Sequence, residues 1–450
     1  MALIQSAVFE PVPANAHSIR RNVLLNELSE RVIVRELAVA EREGSITLFF
    51  SAQSHNSGWA SVVPSKRRTE QLKVQTIVRT GFYKLIVMFP GALGIVCLYH
   101  VLLWRRDRVL ATRLRAERPP LPELARTPKV SALVAAWNES ERIDAHIQSF
   151  LGLRYPDIEL ILCAGGSDDT YARALCYADQ RVTVLEQQPG EGKQRALARC
   201  LEQATGELIY LTDADCLFDD EALTRLLAPI VDGAVQVTTG ASRPLDEQLE
   251  QILPRHLWAT DLASDARRLA DSDGILGRNA ALSREALSCT GNLSYPAPTG
   301  TDYQLAKRLL RAGLPIRFVR ESVVPTVFPE TFTTYRRQRS RWLRNLLIYG
   351  PAYGAGQDIA ATQRTIAIGL AMLLLPLVGL RYVSLLLLWL LLLAHGMLAR
   401  LRYLSFSELL SGRPVPLRLI AALPALTLID MFVWAWPVVD LFDTRRRLRW

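Results

Sequence analysis

Two aspartates one residue apart, Asp213 and Asp215, are the feature of the sequence most suggestive of chemistry. They follow residues 208–212, an apolar run typical of a buried strand. Two carboxylates at a strand end can hold one hard divalent cation, Mg²⁺ or Mn²⁺, and that cation can neutralise a leaving diphosphate. The alternative is a capping turn into a helix that begins near Asp219. The spacing alone favours neither interpretation.

Polar turns also follow the two apolar runs that come earlier in the chain. The first turn carries Asn138 and Glu139, and the second is a Gly-Gly turn that carries Asp168 and Asp169. Lys193 opens a later helical segment, where it can contact a phosphate or remain a solvated charge. The G-x-G-x-x-G pattern of dinucleotide-binding sites is absent, and the pattern of an NTPase phosphate loop is not matched.

Two predicted helices further along the chain carry the remaining candidates. Asp302 opens one of them, where its carboxylate could act as a base or as an N-cap. Gln338, Arg341 and Trp342 stand at i, i+3 and i+4 of the other helix and therefore share one of its faces. Arg341 can clamp a diphosphate, and Trp342 can stack on a sugar. The same helix is also basic enough to lie on anionic lipid, and both interpretations can hold together.

These residues belong to a region in which strands and helices alternate. Strands are predicted at 130–136, 158–163, 182–185 and 208–212, and helices at 139–151, 168–178, 193–204, 302–312 and 332–349, with another beginning near Asp219. Such alternation is typical of parallel βαβ units in a doubly wound α/β sheet. Ligands of these sheets bind beyond the carboxyl ends of the strands, so the polar turns should meet at one edge.

Three apolar blocks flank this region. Residues 85–104 contain no formal charge and can cross a membrane as one helix, since about 20 residues suffice. The block at 365–398 is too long for one crossing and predicts two helices that turn at 379–381. The block at 419–442 contains Asp430, which predicts a contact with another helix or a cavity, or marks the bend of a re-entrant hairpin. Basic residues are nearly balanced around the first block, so charge leaves the orientation open.

Composition excludes several classes of protein. Half of the 450 residues are apolar and 22% are charged, which excludes disordered, collagenous and disulfide-scaffold chains. The net charge of +9 indicates an anionic partner. Many arginines cluster beside the apolar blocks, so we expect anionic membrane lipids and no nucleic acid. The six cysteines show no C-x-x-C spacing, which argues against a zinc site and favours a reduced, cytosolic folded part.

Several motifs in order resemble the family 2 glycosyltransferases. They are AAWNES (135–140), YPDIELILCAGGSDDT (155–170), GKQRAL (192–197), TDAD (212–215), GTDYQLAKRLLRAG (300–313) and QRSRW (338–342). The chain is similar to the membrane-embedded cellulose, hyaluronan and poly-N-acetylglucosamine synthases, and also to ceramide glucosyltransferases, over residues 130–345. It departs from them at Ala164-Gly165, where an Asp pair is common, and at Thr301-Asp302, where Glu-Asp is usual.

The resemblance implies a GT-A domain, which is a Rossmann-like nucleotide-diphospho-sugar transferase fold, with flanking transmembrane helices. It implies a nucleotide diphosphate sugar as donor, in the first place a UDP-sugar, and transfer with inversion. Asp215 would be the more direct ligand of Mg²⁺ or Mn²⁺, with Asp213 beside it, and Asp302 would be the general base. The residues expected to bind the donor or its diphosphate are Asn138, Glu139, Asp169, Lys193, Asp213, Gln338, Arg341 and Trp342.

The motifs and apolar blocks together predict the organisation of the chain. The expected parts are an N-terminal segment of unknown role (1–82), a transmembrane helix (83–104), a basic linker (105–129), the GT-A domain (130–330), interfacial amphipathic helices (331–364), C-terminal transmembrane helices (365–443) and a basic tail (444–450). We expect an integral protein of the plasma or inner membrane with a cytosolic catalytic domain that extends a polysaccharide. The alternatives are transfer to a membrane lipid and, less favoured, a transporter or nucleotide sensor without enzymatic activity.

Overall fold

The computed structural model describes residues 6–9, 13–25, 32–35, 38–40, 44–50, 70–78 and 80–442 with the exception of 269. The chain divides into two compact units, 1–94 and 95–450. The predicted tail (444–450) and much of the predicted segment 1–82 lie outside the described residues. The elements of the first unit are β1 Ser6–Phe9, α1 Pro13–Leu25, β2 Val32–Arg35, β3 Ala38–Ala40, β4 Gly44–Phe50 and β5 Glu70–Val78. β1 pairs with β2, and β5 lies between β3 and β4.

The second unit is built around a sheet of eight described strands. They are β6 Val130–Trp137, β7 Ile158–Gly165, β8 Val182–Glu186, β9 Leu208–Leu211, β10 Val237–Pro244, β11 Asp271–Ser272, β12 Ala280–Ser283 and β13 Ile316–Thr326, in the order β11-β13-β10-β12-β9-β6-β7-β8. The four predicted strands are confirmed to within two residues at each end. β8, β7, β6 and β9 are parallel, as predicted.

The sheet as a whole is mixed, because two strands beyond the four predicted ones run antiparallel to their neighbours. β12 runs antiparallel between β9 and β10, and β11 runs antiparallel at the edge beside β13. The regular alternation of strand and helix ends before β12, which enters the sheet from a loop rather than through a crossover helix. Parallel neighbours require a long crossover connection, whereas antiparallel ones do not.

Helices cover both faces of this sheet. They are α3 Ile143–Leu151, α4 Thr170–Leu175, α5 Gly192–Gln203, α6 Asp220–Val231, α7 Ile252–Asp265, α8 Arg284–Ser288 and α9 Thr301–Arg311. Side chains of α3, α4 and α6 enter one apolar core, and those of α5, α8 and α9 enter a second core on the opposite face. Because β6 is covered on both faces, its sequence is apolar almost throughout rather than alternating.

The remaining helices include the long apolar ones. They are α2 Thr80–Ala116, α10 Phe332–Tyr349, α11 Gly356–Gly379, α12 Val383–Ser411, α13 Leu417–Ala421, α14 Leu423–Ala435 and α15 Pro437–Phe442. Within the described residues, four segments are long and apolar enough to cross a membrane: Met88–Ala116, Gly356–Gly379, Val383–Ser411 and Leu423–Phe442. The predicted turn near 379–381 is confirmed, and the two helices extend beyond the apolar block, to Gly356 at one end and to Ser411 at the other.

Buried ion pairs join the long apolar helices to the domain that contains the eight-stranded sheet. Asp107 of α2 is almost fully buried and accepts from Arg267 Nη2 at 2.6 Å and from Arg402 Nη1 of α12 at 2.7 Å. A buried carboxylate stays ionised only when it is paired and hydrogen-bonded, and two guanidinium groups meet that need. The last part of α12 therefore lies at the end of the helices that faces the domain with the eight-stranded sheet.

Candidate active site

A cleft of about 1850 Å³ opens beyond the carboxyl ends of β6 and β9. Its lining draws on the polar turns, the start of α5, the loop before β12, the start of α9 and one face of α10. Eight of the ten predicted site residues line it: Glu139, Lys193, Asp213, Asp215, Asp302, Gln338, Arg341 and Trp342. The remaining two, Asn138 and Asp169, lie outside that lining.

The turn that carries Asp213 and Asp215 is fixed from two sides. The end of β13 holds its backbone, since Leu217 N donates to Pro325 O at 2.9 Å and Val327 N donates to Asp215 O at 3.2 Å. The helix that follows is capped by Asp219, whose Oδ1 accepts from Ala222 N at 2.8 Å. The capping alternative for the Asp pair is therefore wrong, and both carboxylates remain available to the cleft.

Lys193 gives the carboxylates of Asp213 and Asp215 different electrostatic environments. Lys193 Nζ donates to Asp213 Oδ1 at 2.5 Å and lies 3.8 Å from Asp302 Oδ1. Burial opposes ionisation of Asp213, but the charge and hydrogen bond of Lys193, together with the charges of two arginines, outweigh it and lower the pKa of this carboxyl. Burial, with the charge of Asp213, raises the pKa of Asp215. Burial, with the charges of Asp215 and Asp213, raises the pKa of Glu139 to about 7.

These residues fit a divalent cation that is shared with a substrate. Among the described residues, no group of three or more His, Cys, Asp or Glu side chains is arranged to hold a metal alone. Mg²⁺ usually takes one or two carboxylates and completes its shell with substrate phosphates and water. Asp215 suits the direct ligand, because its Oδ1 has only long contacts, at 3.4 Å to Thr326 Oγ1 and 3.6 Å to Cys216 Sγ. Asp213 is already engaged by Lys193.

Asp302 projects into the cleft from the first turn of α9. The N-cap position of this helix is Gly300, with φ of 68°, so Asp302 is not the N-cap. A Cβ at Gly277 would overlap the Asp302 carboxylate, so only glycine allows the loop before β12 to approach it. Asp302 is therefore a carboxylate held beside Lys193 without a capping role.

The predicted face of α10 does point at this cleft. Gln338, Arg341 and Trp342 all line it, and burial lowers the pKa of the Arg341 guanidinium while the charges of Asp213 and Asp302 oppose that change. Trp342 stands between two guanidinium groups, with Arg278 at 5.8 Å and Arg339 at 5.9 Å from its ring centroid. The face can thus offer a cation and an aromatic surface to one ligand.

Asn138 and its neighbours shape the turns instead of lining the cleft. Asn138 has φ of 59°, and its Oδ1 accepts from Ser167 N at 2.7 Å. Asp168 accepts from Thr170 N and from Ser140 N, each at 3.1 Å, and so joins the two turns. Asp169 precedes α4 and makes no capping bond through its side chain. Of these two aspartates, it is therefore Asp168 whose side chain bonds the first amide of α4.

Sequence reasoning did not find Arg278. It lines the cleft, it helps to lower the pKa of Asp213, and it flanks Trp342. Its position depends on Asn279, whose buried Nδ2 donates to Ala241 O at 3.0 Å and to Ser322 O at 3.1 Å. A single arginine in a loop carries no spacing signal, because its partners come from distant strands.

Comparison with known proteins identifies this domain. Residues 128–345 match the model of the glycosyltransferase-like family 2. The chain therefore carries a family 2 glycosyltransferase domain, with the mixed α/β sheet of the GT-A type. The motifs that suggested the family lie within the matched residues.

Relatives are similar over part of their length. The N-acetylglucosaminyltransferase of Rhizobium meliloti (strain 1021) is 27% identical over 239 residues, which are 48% of this chain and 55% of that protein. The poly-beta-1,6-N-acetyl-D-glucosamine synthase of Staphylococcus epidermidis is 33% identical over 95 residues, which are 21% of this chain and 23% of that protein. The chain spans about half the length of the first of these relatives.

A solved structure shows a weaker likeness. The mannosyltransferase PcManGT from Pyrobaculum calidifontis, in complex with GDP-Man and Mn²⁺, aligns with a TM-score of 0.47 at 19% identity, over 80% of this chain and 99% of that chain. At this level the likeness bears on neither the donor nor the metal of the present protein.

Proposed function

We propose that this protein transfers N-acetylglucosamine from UDP-N-acetylglucosamine to a growing saccharide at a membrane, with inversion at the anomeric carbon. The observation that carries the proposal is the convergence of Lys193, Asp213, Asp215 and Asp302 with the Gln338–Trp342 face in one cleft. The names of the two relatives described above support N-acetylglucosamine as the transferred sugar. The apolar helices beside the domain support the location.

Each of these residues has its own role in a single displacement reaction. The acceptor oxygen attacks the anomeric carbon, the bond from that carbon to the diphosphate oxygen breaks, and the acceptor's proton passes to Asp302. Lys193, Arg278 and Arg341 bring positive charge to the leaving diphosphate. Asp215, with Asp213, would hold the divalent cation, which when bound adds further positive charge at the diphosphate. A single displacement of this kind inverts the configuration.

Two hydrogen-bonded side chains favour a membrane lipid as a second candidate acceptor. Lys307 and Tyr303 of α9 both contact Asp358, at the start of α11, at 2.8 and 2.9 Å. The helix that carries Asp302 is thus joined directly to a candidate membrane segment. A lipid acceptor could reach the site from the bilayer along this contact.

The test is an assay of the detergent-purified protein with separate UDP-N-acetylglucosamine, UDP-glucose, UDP-galactose and GDP-mannose. We expect release of UDP and a saccharide product from UDP-N-acetylglucosamine, detected by mass spectrometry, at a rate that Asp302→Asn lowers by about 10²-fold or more. Product that partitions into organic solvent would instead support the lipid acceptor. Transfer from another donor would overturn the choice of sugar, and no transfer from any donor would overturn the function.

A further inference from the structure

Three buried polar side chains line the cleft and each has an atom without a hydrogen-bonding partner among the described residues. The atoms are Gln194 Oε1, the Tyr295 hydroxyl and Thr301 Oγ1. The exposed fractions of these side chains are 4%, 8% and 3%. A buried polar atom left unpaired costs free energy, so most such atoms in native proteins find a partner. Three of them in one cleft therefore indicate a ligand that supplies the partners.

Two of these residues are sequence neighbours of the groups that would act on the donor. Gln194 follows Lys193, Thr301 precedes Asp302, and Lys193 Nζ lies 3.8 Å from Asp302 Oδ1. In the proposed reaction Lys193 brings charge to the diphosphate and Asp302 takes the proton of the acceptor, so the anomeric carbon lies between these two groups. The substituent at C2, one bond away from that carbon, therefore lies in the same part of the cleft as Gln194 and Thr301.

The orientation of the Gln194 amide is fixed by the backbone. Its Nε2 donates to Leu293 O at 2.8 Å, and a carbonyl oxygen can only accept, so Oε1 is the end that faces the cleft without a partner in the described part of the chain. Leu293 itself has φ of 62°, a conformation that bulky residues rarely adopt, and the bond from Gln194 supports it. Gln194 thus offers a single hydrogen-bond acceptor in a defined direction.

Tyr295 offers a neutral hydroxyl. Burial raises the pKa of its phenol, while Gln194 beside it opposes that change. The phenol therefore remains protonated at neutral pH and can donate a hydrogen bond. Arg308 Cζ lies 3.9 Å from the ring centroid and restrains the ring. Pro296 and Ala297, the next residues in the chain, add an apolar surface to the lining.

We propose that Gln194, Tyr295 and Thr301 form the subsite that binds the acetamido group of the donor sugar and so selects N-acetylglucosamine over glucose. This inference rests on the proposed function. An acetamido group has one N–H donor, one carbonyl acceptor and a methyl group. The Gln194 oxygen complements the N–H, the two hydroxyls complement the carbonyl, and the apolar surface complements the methyl group. The single hydroxyl at C2 of glucose leaves part of this set unpaired.

The test measures the ratio of the inhibition constant of UDP-glucose to the KM of UDP-N-acetylglucosamine. This ratio does not depend on whether glucose is itself transferred. The wild-type ratio should be at least about tenfold, and Tyr295→Phe should lower it by about tenfold, the scale of one hydrogen bond to the ligand. The melting temperature should not fall, because the lost hydroxyl has no partner among the described residues. A merely structural role would instead lower the melting temperature and weaken both nucleotides equally.

Tyr155→Phe is the matched control. Tyr155 has the same exposed fraction as Tyr295, 8%, but its hydroxyl donates to Pro128 O at 2.7 Å and it is not part of the cleft lining. The control should lower the melting temperature and keep the wild-type ratio. Thr301→Val is the second variant, which keeps the test decisive if Tyr295→Phe does not fold. It removes an unpaired hydroxyl of the same subsite and should lower the ratio in the same way.

The outcomes separate this inference from the proposed function. A wild-type ratio near one, an unchanged ratio in the folded variants, or equal weakening of both nucleotides would overturn the acetamido subsite and leave the proposed transfer intact. Absence of any transfer from UDP-N-acetylglucosamine by the wild-type protein would overturn the proposed function itself.

Discussion

Asp213 and Asp215 stand one residue apart, yet they differ in their partners. Asp213 forms an ion pair with Lys193, and Asp215 has no cation within salt-bridge distance among the described residues. Asp215 is therefore the side chain whose carboxylate most needs a cation from outside the chain. We therefore assign the Lys193–Asp213 ion pair to the surroundings of the diphosphate and propose Asp215 as the ligand of the metal.

We expect Asp215→Asn to lower turnover by about 10²-fold or more, because it removes the carboxylate that would hold the cation opposite a developing charge. A chelator such as EDTA should have the same effect on the wild-type protein, and Mg²⁺ or Mn²⁺ should restore its activity. Asp232→Asn, at the exposed end of α6, is the matched control. Full activity in excess chelator would contradict the metal site.

Asp302 should act in the chemical step and not in donor binding. We expect Asp302→Asn to lower kcat by about 10²-fold or more, on the scale of general-base catalysis, with donor KM changed little. The substitution keeps the shape of the side chain beside Gly277, so the fold should persist. Steady-state kinetics at varied donor concentration checks this. A large rise in donor KM with kcat spared would make Asp302 a binding residue.

Substitution of the two aspartates of the Gly-Gly turn should change different quantities, stability for Asp168 and donor KM for Asp169. Asp168→Ala should lower the free energy of unfolding by about 1 kcal/mol, because Asp168 accepts the Thr170 and Ser140 amides. Asp169→Ala should leave stability nearly unchanged. Its carboxylate makes no capping bond, so we expect it to contact the nucleotide and its loss to raise donor KM with kcat nearly unchanged. An unchanged KM would leave recognition to Glu139 and the backbone.

At the level of elements, α3 fixes the Asp213–Asp215 turn from behind. His146 Nδ1 donates to Cys216 O at 2.6 Å, and Ser149 Oγ accepts from Phe218 N at 2.9 Å. His146 is fully buried, and its ring packs against Phe218. Burial lowers the pKa of His146 to about 4, so the native protein holds this imidazole neutral.

This contact predicts a loss of stability in mild acid. The pKa of His146 is lower in the folded state than its ordinary 6.5, so its contribution is complete above pH 6.5 and is lost as pH falls toward 4. The raised pKa of Glu139 acts with the opposite sign, because a carboxyl that is protonated when folded gives stability that is lost as pH rises through 7. A comparison with His146→Asn cancels that second contribution.

The measurement is the melting temperature of the purified protein between pH 7.5 and 5. We expect a smaller fall for His146→Asn than for wild type, because asparagine can still donate to Cys216 O but carries no titrating group. The variant should melt lower at pH 7.5, owing to the lost ring packing against Phe218. Equal pH dependence in both proteins would contradict the assignment.

At the scale of the whole molecule, buried ion pairs fix the catalytic domain to one end of the helices. Asp107 joins α2, α12 and the loop after α7, and Arg255 Nη2 donates to Arg413 O at 2.8 Å beyond the end of α12. Asp358 joins the start of α11 to α9. α11 therefore leaves the catalytic domain and α12 returns to it, so the turn between them lies at the far end.

This arrangement predicts the outcome of labelling with a membrane-impermeant maleimide. If residues 105–364 are cytosolic, exposed Cys176 and Cys289 should react only after permeabilisation of cells. Leu380→Cys, in the turn between α11 and α12 and 83% exposed, should react in intact cells. Cys97→Ser removes the exposed cysteine of the first apolar segment. Labelling of Cys176 or of a cysteine introduced near Asp220 in intact cells would reverse the orientation.

The sequence by itself determined the elements whose patterns are local. The continuous apolar runs of β6, β7 and β9, the three-and-four spacing of Gln338, Arg341 and Trp342, and the length of the apolar blocks each depend on neighbours within a few residues. Backbone geometry then converts that spacing into a shared face or a strand end. The approach of the polar turns to one cleft followed from the general rule for the carboxyl ends of parallel strands.

Only the tertiary structure decided the contacts between residues far apart in the chain. The ion pair of Lys193 with Asp213 and the bond from the Thr170 amide to Asp168 are two such contacts. The place of Arg278 in the cleft and the antiparallel insertion of β12 into the sheet also became known only from the structure. The structure also encloses Asp430 with groups from three other helices. Such pairings depend on which surfaces pack together. A buried charge needs a partner, but the residues next to it in the sequence do not indicate which distant residue that partner is.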